Sequence, residues 1–597
     1  MSVSTPERSA APSAEAERER QMREAEELLF SGEQRAGFAK ALFKGQFRPQ
    51  AIFPYPLLPP DLQAEADAAV KALREYANDH IDPFAIDRDA DIPRSVIDGL
   101  AQLGVLGMTA PRSFGGRGFS QMQYCKVMEV LGGHDAGVAV FVNAHHSIGI
   151  RALLLFGTPE QQAQWLPGLC SGEKLGAFAL TEEQAGSDAG NVQTTATPSE
   201  DGRSYVLNGT KRYITNGAIA DVLTVMARTP NPKGGDSKVT AFLVTPDMPG
   251  FEVVEARMPK CGIRGTATAK LAFHDMRVPR ENVLGEVGKG LKVALTVLDF
   301  GRTTFGASCT GAAKACLDAA TRHALRRRQF GRTLSTLEAI RKKVAYLAAC
   351  AYAMEATTHE TAALIDSGAE DYMLETAILK VFATEYLWQG VYEVLQVHGG
   401  QGYFNDEPYE RWMRDARINT IGEGANEVLK SFIAMVGMRD VGMGLKGTLD
   451  DVKSVTRALP AIFRFGADHV GRFFQAPKVP VNTASLRPTA DALGHQVARF
   501  AWAVERCIMK HKEDVLEKQY VHERIADAAI ALYSASCTLA RLDHEMTTGK
   551  VTEAGRTAGL LYLSMAFSRI EGSLAGMDHN ADEAFEAAAK AALAAAE

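Results

Sequence analysis

This 597-residue sequence lacks the features that mark several common classes of protein. Its formal net charge is −7, so no basic excess predicts a nucleic-acid partner. Its eight cysteines are scattered without a CxxC pair, which argues against a zinc site and a disulfide framework and fits a reducing compartment. No apolar run approaches the ~18 residues that a membrane span requires. The composition therefore favours a soluble globular protein.

The first 35 residues hold eight glutamates and five arginines and have no apolar segment of the kind found in signal peptides. This pattern excludes a secretory signal and argues against a transit peptide, because transit peptides avoid acidic residues. The motifs HExxH, GxSxG and Walker A are also missing, so their chemistries are not predicted. We expect a cytoplasmic protein.

The chain is too long for one compact core, so it predicts three or four packed units. Helical periodicity prevails to about residue 175, β-branched runs follow to about 285, and helical periodicity then returns. The expected fold class is mainly α with an inserted β domain. The predicted divisions are a flexible extension (1–35), an α domain with an apolar arm (36–175), a β domain (176–285), an α bundle (286–437), a linker (438–485) and an additional α-helical domain (486–597).

Within the β region, SYVLNGTKRYIT (204–215) predicts a hairpin, because two short apolar runs flank Asn208-Gly209. The β-branched runs at 221–229 and 239–246 predict two further strands. On the second strand of the hairpin, Tyr213 and Thr215 would share one face, since residues two apart do so. An aromatic ring and a hydroxyl on one face would suit a flat heterocycle.

A single acid, Glu423, stands between two glycines in RINTIGEGANEVLKSF (417–432). One interpretation is a solvated glutamate in a turn between two helices. The other is a base that must reach a buried carbon of a substrate, for which small neighbours clear the space. This segment alone leaves both interpretations open.

Three further segments carry polar groups in unusual patterns. ALTEEQAGSDAGN (179–191) offers hydroxyls and close backbone approach, RRRQFG (326–331) places arginines at a helix end, and QVHGGQGYF (396–404) contains three glycines. A polar turn and a helix cap are the plain alternatives for the first two. The pair His145-His146 is better explained by packing than by metal binding, because adjacent helical residues diverge by about a third of a turn. No metal site is predicted.

Together these segments resemble the acyl-CoA dehydrogenase family over about residues 36–437. LTEEQAGSD (180–188) is similar to the first signature of the family, and residues 396–415 match the second in order and spacing. GGHDAGVAVFVNAHHSIG (132–149) and the extra helical domain after residue 486 resemble the very-long-chain branch. The resemblance implies an α domain, a β-barrel middle domain and a four-helix-bundle-like α domain, followed by a C-terminal α-helical domain.

The resemblance also implies a function. It predicts an FAD-dependent homodimer that oxidises long-chain acyl-CoA to trans-2-enoyl-CoA, the first step of fatty acid β-oxidation. Glu423 would remove the α-proton, the β-hydride would pass to flavin N5, and electron-transferring flavoprotein would accept the electrons. Two alternatives stay open, namely an acyl-CoA oxidase that uses oxygen and a low-activity assembly or scaffold paralogue.

Site residues follow from the resemblance position by position. Some relatives carry the base immediately before the arginine that matches Arg302, and that position is Gly301 here, which favours Glu423. The implied cofactor-binding residues are Phe178, Thr181, Ser187, Tyr213, Thr215, Arg327, Gln329, Phe330, Gln396, Gly399, Gly400, Ala425 and Glu427. The implied substrate-binding residues are Ser187, Asp299, Arg302, Gly424, Ala139 and Asn143.

Some positions depart from the family pattern. Tyr213 replaces a tryptophan, Glu183 replaces a proline, and Ala425 replaces a threonine that touches flavin, which puts that one contact in doubt. Ala139 and Asn143 replace the larger Gln and Glu that floor the pocket of medium-chain relatives. A deeper pocket would bury more methylene groups at about 0.8 kcal/mol each, so we expect long-chain substrates.

The segment KSVTRALPAIFRFGADHVGRFF (453–474) combines four basic residues with five large apolar ones and a single acid. Such a stretch is typical of segments that bind membrane surfaces. The very-long-chain branch associates peripherally with membranes through its equivalent region. The two interpretations that remain open are peripheral binding to the inner face of the membrane and a linker helix packed on its own domain.

Overall fold

Helices form the first part of the fold because capping residues precede its apolar periodic segments. The computed structural model describes residues 37–453 and 476–596, with side chains outside 444–453. Ser120 and Thr158 form capping boxes with the glutamines three residues later, so a helix begins directly after each. The helices are α1 (Phe38–Phe43), α2 (Pro60–His80), α3 (Pro83–Asp89), α4 (Arg94–Gln102), α5 (Gln121–His134), α6 (Ala136–Val142), α7 (Arg151–Phe156) and α8 (Pro159–Ser171).

A π-helical segment, Asn143–Ile150, joins α6 to α7 without a break in the chain direction. The wider turn of a π-helix is rare and is frequently found at functional sites. Seven of its eight residues are buried, so this segment lies inside the protein.

Eight strands follow and form one sheet in the order β6-β7-β3-β2-β4-β5-β8, with β1 paired in parallel to β4. Every residue of β4 except Arg228 is buried, as expected of a β-branched central strand. The strands are β1 (Gly176–Ala179), β2 (Thr195–Pro198), β3 (Ser204–Ile214), β4 (Val222–Thr229), β5 (Lys238–Val244), β6 (Phe251–Glu255), β7 (Ala269–Pro279) and β8 (Val283–Leu284).

The predicted hairpin at Asn208-Gly209 is wrong, because β3 runs through both residues. The Asn208 side chain donates to Asp275 Oδ1 at 3.0 Å and accepts from the Asp275 N–H at 2.9 Å, which forms a bulge against β7. A Cβ at Gly209 would lie 2.4 Å from Thr194 Oγ1. This Asn-Gly pair therefore serves a bulge and a close backbone approach rather than a turn.

Long helices return after the sheet, and glycines set how closely they approach. A Cβ at Gly311 would lie 1.9 Å from the carbonyl oxygen of Glu129, and one at Gly132 would lie 2.2 Å from that of Ser308. The helices α5 and α9 therefore cross in backbone contact. The elements are α9 (Gly290–Arg326), β9 (Arg328–Gln329), β10 (Arg332–Thr333), α10 (Glu338–Asp366), α11 (Met373–His398), α12 (Gly400–Tyr403), α13 (Tyr409–Arg417) and α14 (Asn426–Lys453).

The predicted linker at 438–485 begins too early, because α14 continues to Lys453. Just before this stretch, Gly437 is a packing residue, since a Cβ there would lie 2.2 Å from the Phe43 ring. Four more helices complete the mainly α fold with its inserted β domain, as predicted. They are α15 (Arg487–His511), α16 (Gln519–Thr547), α17 (Glu553–Ala575) and α18 (Asp582–Ala594).

The N-terminal arm and the additional domain share one apolar core with the helices α9 to α14. All six residues of α1 are buried. The Phe43 ring packs edge-on against Phe500 of α15 at 4.9 Å. Arg541 of α16 pairs with Glu355 of α10 at 2.7 Å, so ionic contacts support the same junction.

Two helical stretches reach the length and mean hydropathy of a membrane span, contrary to the expectation from the sequence. They are Ala136–Phe156, with 67% of its most apolar window buried inside the protein, and α16, with 89% buried. Core helices of soluble proteins pass the same test, and this burial is typical of them. The predicted extension at 1–35 and the membrane-surface segment after Lys453 lie outside the described residues.

Replacement of Phe43 by alanine tests whether α1 holds the additional domain to the rest of the chain. Phe43 is fully buried. We expect Phe43→Ala to reduce the free energy of unfolding by about 3–5 kcal/mol, as for other buried phenylalanines. Urea denaturation followed by circular dichroism measures the change. Phe585→Ala, at a residue that is 64% exposed, is the control, and equal losses in both variants would contradict the assigned role.

Candidate active site

Glu423 lies in a tight loop between a 3-10 turn, Ile418–Thr420, and the first residue of α14. Its φ is +56°, and that of the next residue, Gly424, is +98°. A non-glycine residue in the left-handed region costs about 1–2 kcal/mol, and such strain persists only where surrounding contacts hold it. The φ of Gly424 favours glycine there, and a Cβ would also crowd the Leu429 side chain at 3.1 Å.

Two buried cations hold this loop through hydrogen bonds to its backbone carbonyl groups. Lys380 of α11 donates to the carbonyl oxygen of Gly424 at 2.7 Å and to Asn426 Oδ1 at 2.9 Å. Arg302 of α9 donates to the carbonyl oxygen of Glu423 at 3.5 Å. Because both carbonyl groups are held, the strained backbone around Glu423 is fixed relative to α9 and α11.

The two oxygens of the Glu423 carboxylate have different surroundings. Oε1 accepts a hydrogen bond from Asn143 Nδ2 at 2.7 Å. Oε2 is inaccessible to solvent and accepts no hydrogen bond from any residue in the described parts of the chain. Burial raises the pKa of Glu423 to about 7, against the opposing effects of Arg302, Lys380 and the Asn143 hydrogen bond. The group is therefore poised to take up a proton near neutral pH.

Gly301 faces this carboxylate from α9. A Cβ at position 301 would lie 2.9 Å from Glu423 Oε2. The family resemblance allows a base at position 301 or at position 423. Side chains at these two positions would occupy the same small volume. A side chain at position 301 would displace the Glu423 carboxylate. The observed position of this carboxylate therefore depends on the glycine at 301.

The predicted substrate residues Asp299 and Arg302 form a buried ion pair beneath the loop. Arg302 Nη1 lies 3.1 Å from Asp299 Oδ1, which also accepts a hydrogen bond from Thr376 at 2.9 Å. Burial raises the pKa of Asp299 to about 6, and Arg302 acts in the opposite direction. In this structure the pair supports the Glu423 loop, and its predicted contact with acyl-CoA stays a prediction.

Ala139 and Asn143 are buried on α6 and at the start of the π-helical segment. Ala139 lines a small cavity of about 40 Å³ between α6 and α9. Its lining includes the small or apolar residues Ala136, Val140, Phe305, Cys309 and Ala312, together with the polar Arg411, Asp415 and Asn419. Asn143 and Glu423 are not among the residues that line it.

The predicted contacts to the flavin ring lie in the β domain, at the ends of β1 and β3. Phe178 belongs to β1, and it packs in one apolar cluster with the first turns of α9. Tyr213 has a left-handed φ of +60° and Thr215 follows the end of β3, so regular strand alternation does not place them on one face as predicted. Tyr213 is 56% exposed, and Thr181 is half-buried after β1. Ser187 is exposed in the loop that follows.

The other predicted cofactor contacts lie together at the far end of α9. The rings of His323 in α9 and His398 in α11 are 4.1 Å apart, which brings the two following loops together. The side chain of Phe330 is 89% exposed, and an added Cβ at Gly399 or Gly400 would meet nothing within 4 Å. All members of this group are exposed: Arg327, Gln329, Phe330, Gln396, Gly399 and Gly400.

The two groups of predicted cofactor contacts lie towards opposite ends of α9. Phe178 packs in one apolar cluster with Val297, and Val297 and Arg326 are 29 residues apart, or about 44 Å along the helix axis. Ala425 and Glu427 stand beside Glu423, with Glu427 exposed on the first turn of α14.

The residues present fit FAD on their chemistry. An exposed aromatic ring at Tyr213, the hydroxyl groups of Thr181 and Thr215, and the open backbone at Gly399 and Gly400 offer stacking, hydrogen bonds and close approach. The exposed arginines after α9 offer charge for a pyrophosphate. The backbone at Gly399 and Gly400 is open, whereas the Arg212 guanidinium lies over one face of the Tyr213 ring at 4.4 Å.

The histidine pair is explained by hydrogen bonds to the backbone. The His145 ring contacts the Leu169 carbonyl at 3.1 Å and accepts from the Gly176 N–H at 2.9 Å. The His146 ring contacts the Leu106 carbonyl at 3.1 Å and the Thr109 N–H at 3.0 Å. Both nitrogens of each ring are engaged, which supports the packing interpretation.

Sequence reasoning missed several residues that support the site. Lys380 and Thr304 contact the loop or its partners across the fold, and no local motif marks them. Glu182, within LTEEQAGSD, pairs with the buried Lys211 at 2.5 Å and accepts from the Thr194 N–H at 3.1 Å. That glutamate therefore fixes the first signature loop onto β3. In the sequence, the only sign of this role of Glu182 was an acid inside a polar loop.

Sequence models of known families match almost the whole described chain. Those of the acyl-CoA dehydrogenase N-terminal, middle and C-terminal domains match residues 63–173, 177–276 and 288–438. The C-terminal domain described as ACAD9/ACADV matches residues 484–597. The matches follow the order α, β, α and additional α that the structure shows, and this order defines a flavin-dependent class of oxidoreductase.

The chain belongs to the acyl-CoA dehydrogenase family, whose members are FAD-dependent oxidoreductases. It is 35% identical over 526 residues to the human mitochondrial very long-chain specific acyl-CoA dehydrogenase, covering 86% of this chain and 80% of that protein. It is 33% identical over 549 residues to the probable acyl-CoA dehydrogenase FadE10 of Mycobacterium tuberculosis, covering 88% and 83%.

Solved structures agree with this assignment. An acyl-CoA dehydrogenase complexed with FAD from Bacillus anthracis superposes with a TM-score of 0.77 at 26% identity, over 91% of this chain and 92% of that one. A chain in a structure described as the electron transferring flavoprotein of Acidaminococcus fermentans gives a TM-score of 0.60 at 34% identity, over 64% and 98%.

The raised pKa of Glu423 predicts a pH-dependent cost to stability. The folded carboxyl holds its proton up to about pH 7, whereas the unfolded carboxyl loses it near its ordinary value of 4.5. Wild-type stability should therefore fall between these pH values and level off above them. Glu423→Gln cannot ionise, so we expect its stability advantage to grow by about 2–4 kcal/mol between pH 4.5 and 8.

Urea denaturation of the FAD-loaded proteins at pH 5, 6, 7 and 8 measures this difference. The exposed Glu427 is the matched control, and we expect Glu427→Gln to follow the wild-type pH dependence. A constant offset between Glu423→Gln and the wild type at all four pH values would refute the perturbed carboxyl.

Proposed function

We propose that this protein oxidises long-chain fatty acyl-CoA to trans-2-enoyl-CoA in the first step of fatty acid β-oxidation, with Glu423 as the base. The observation that carries the proposal is the buried Glu423 carboxylate with one unpartnered oxygen and a pKa raised to about 7. A base with a pKa near the working pH combines a useful ionised fraction with sufficient basicity. When bound, FAD supplies the acceptor for the β-hydride at N5.

The α-carbon of a thioester is a weak acid, so its deprotonation requires stabilisation of the developing enolate. Glu423 removes the α-proton, and its own backbone N–H donates to the thioester oxygen. The glycines at 422 and 424 leave that N–H accessible. A donor aimed at a developing oxyanion contributes about 3 kcal/mol in other enzymes. Lys380 and Arg302 keep the loop in place during this step, because they hold the carbonyl groups of Gly424 and Glu423.

Anaerobic mixing of the FAD-loaded protein with palmitoyl-CoA tests the proposed reaction. We expect the visible flavin absorbance to bleach in the wild type and to persist in Glu423→Gln, because glutamine cannot accept the α-proton. Over a pH series, kcat/KM should rise through a midpoint near 7, the pKa of the free base. Normal FAD content and reduction by dithionite show that the variant is intact. Equal bleaching of both proteins would exclude Glu423 as the base.

Chain length is set by the space beyond Ala139. A cavity of about 40 Å³ lies beside Ala139, and small side chains of α6 and α9 form part of its lining. A tail that enters this space leaves water at about 0.8 kcal/mol per methylene. The similarity to very long-chain specific relatives supports the same preference.

Graded filling of position 139 tests the path of the acyl chain. We expect Ala139→Phe to lower kcat/KM for palmitoyl-CoA by about tenfold or more, since two methylenes lose about 1.6 kcal/mol of burial. Ala139→Val should give a smaller loss. Turnover of octanoyl-CoA by the same variants is the internal control for folding. Equal losses for both substrates would place the acyl chain elsewhere.

We further propose electron-transferring flavoprotein as the electron acceptor and a homodimer as the working unit. The two groups of predicted cofactor contacts lie towards opposite ends of α9, which supports a dimer in which one subunit would complete the FAD site of the other. An acyl-CoA oxidase would instead release peroxide in air, and a scaffold paralogue would not bleach. A cytoplasmic location and membrane contact through residues 453–474 stay predictions from the sequence.

A further inference from the structure

A continuous line of buried hydrogen bonds runs from the carboxylate of Glu423 into the helical domain. Asn143 Nδ2 donates to Glu423 Oε1 at 2.7 Å, and Asn143 Oδ1 accepts from Thr304 Oγ1 at 2.5 Å. Thr304 Oγ1 lies 2.9 Å from Ser147 Oγ, which lies 3.1 Å from the hydroxyl of Tyr124. The four partners of Glu423 in this line are all buried. They come from α5, the π-helical segment and α9.

The chemistry of these groups fixes the direction of the line. An ionised carboxylate only accepts, so the amide nitrogen of Asn143 must face Glu423 and its oxygen must face Thr304. Thr304 has one proton, and the amide oxygen at 2.5 Å is a closer acceptor than the carbonyls of Phe300 at 3.2 Å and Gly301 at 3.1 Å. With that proton engaged, Ser147 donates to Thr304 and Tyr124 donates to Ser147. Every donor therefore points towards Oε1. Such aligned donors reinforce one another in a low-dielectric interior.

The remaining charged and titratable groups near the carboxylate lie on other elements. Arg302 on α9 and Lys380 on α11 lower its proton affinity, and Cys309 on α9 faces the same space. Among the described residues, none of these three groups lies within hydrogen-bonding distance of Oε1 or Oε2 of Glu423. Asn143 is thus the one described side chain that fixes the rotation of the carboxylate itself, whereas the cations fix the backbone.

We propose that Asn143 is a positioning residue for the base: it holds Glu423 Oε1, with Thr304 orienting its amide, and so reserves Oε2 for the substrate proton. The inference rests on the proposed function of Glu423 and goes beyond the role in chain length expected of Asn143. The hydrogen bond joins residues 280 positions apart. Oε2 is the oxygen that stands next to the space cleared by Gly301.

Three variants separate positioning from packing. Asn143→Leu keeps the approximate size and removes the donor, and Asn143→Asp keeps the shape and adds a negative charge. Thr304→Val keeps the shape and removes the hydroxyl that orients the amide. Thr303→Val is the matched control, because Thr303 is also buried in α9 but its hydroxyl donates at 2.9 Å to the carbonyl of Asp299 within the same helix.

Two readouts are required, and the first is the pH dependence of kcat/KM with palmitoyl-CoA. We expect the midpoint of the acidic limb to rise by about 1–2 pH units in Asn143→Leu, because a hydrogen bond to the ionised form is lost. The rise should be larger in Asn143→Asp, smaller in Thr304→Val and absent in Thr303→Val. At pH 6 the loss of kcat in Asn143→Leu should be about tenfold or more, and it should shrink as the pH rises.

The second readout does not need turnover. Infrared difference spectra of the FAD-loaded protein without substrate follow the protonated carboxyl band of Glu423, identified by its loss in Glu423→Gln. The band should titrate at higher pH in both Asn143 variants than in the wild type. A purely structural role would lower stability or raise KM without moving either midpoint, and coincident midpoints in all variants would overturn the proposal.

The two proposals fail in different ways. A wild-type protein that binds FAD but is not reduced by any acyl-CoA would refute the proposed function, while the infrared titration would still decide the role of Asn143. A wild type that is reduced normally, together with variants that have unshifted midpoints, would refute the role of Asn143 alone.

Discussion

The burial of one carboxylate is the constraint on which the rest of the site depends. Removing Glu423 from water disfavours its ionised form, and burial is accordingly the largest influence on its pKa. The group can ionise at all only because Arg302 and Lys380 lie close by and Asn143 donates to Oε1. These three residues come from three separate helical segments. The packing of the α domains therefore determines the electrostatic surroundings of Glu423.

Backbone strain and missing side chains provide the room that this arrangement needs. Glu423 has a left-handed φ of +56°, which its neighbours hold in place through the carbonyl contacts described above. Gly301 leaves a space beside Oε2, and Gly311 and Gly132 allow α5 and α9 to cross in backbone contact. A side chain at any of these glycines would separate helices or move the carboxylate, so small residues determine the geometry as much as polar ones do.

The long helix α9 links the base to a distant surface. Its first turns pack against the β domain, its middle carries Arg302 and Thr304, and its last turn meets α11 through His323 and His398. The additional domain lies on the same framework through Phe43 and through the pairing of Arg541 with Glu355. Displacement of the additional domain would therefore also move helices that carry site residues.

Much of this organisation is readable in the sequence. The change from helical to β periodicity and back placed the β domain, because burial on one face imposes a period of 3.6 or 2 on the residues. The isolation of Glu423 between glycines, together with two family signatures, predicted it as the base without any coordinates. Local patterns were weaker where one motif serves two structures: Asn208-Gly209 forms a bulge instead of a turn.

The sequence by itself therefore determined the order of the domains and the family, and it singled out Glu423 as the proposed base, since each is recorded in residues that are neighbours along the chain. Only the tertiary structure decided which oxygen of Glu423 accepts a hydrogen bond and which has no partner among the described residues. Asn143 lies 280 residues from Glu423 along the chain, and Thr304 lies 161 residues from Asn143. Contacts between distant residues leave no local period or motif. They exist only once burial has brought their helices together.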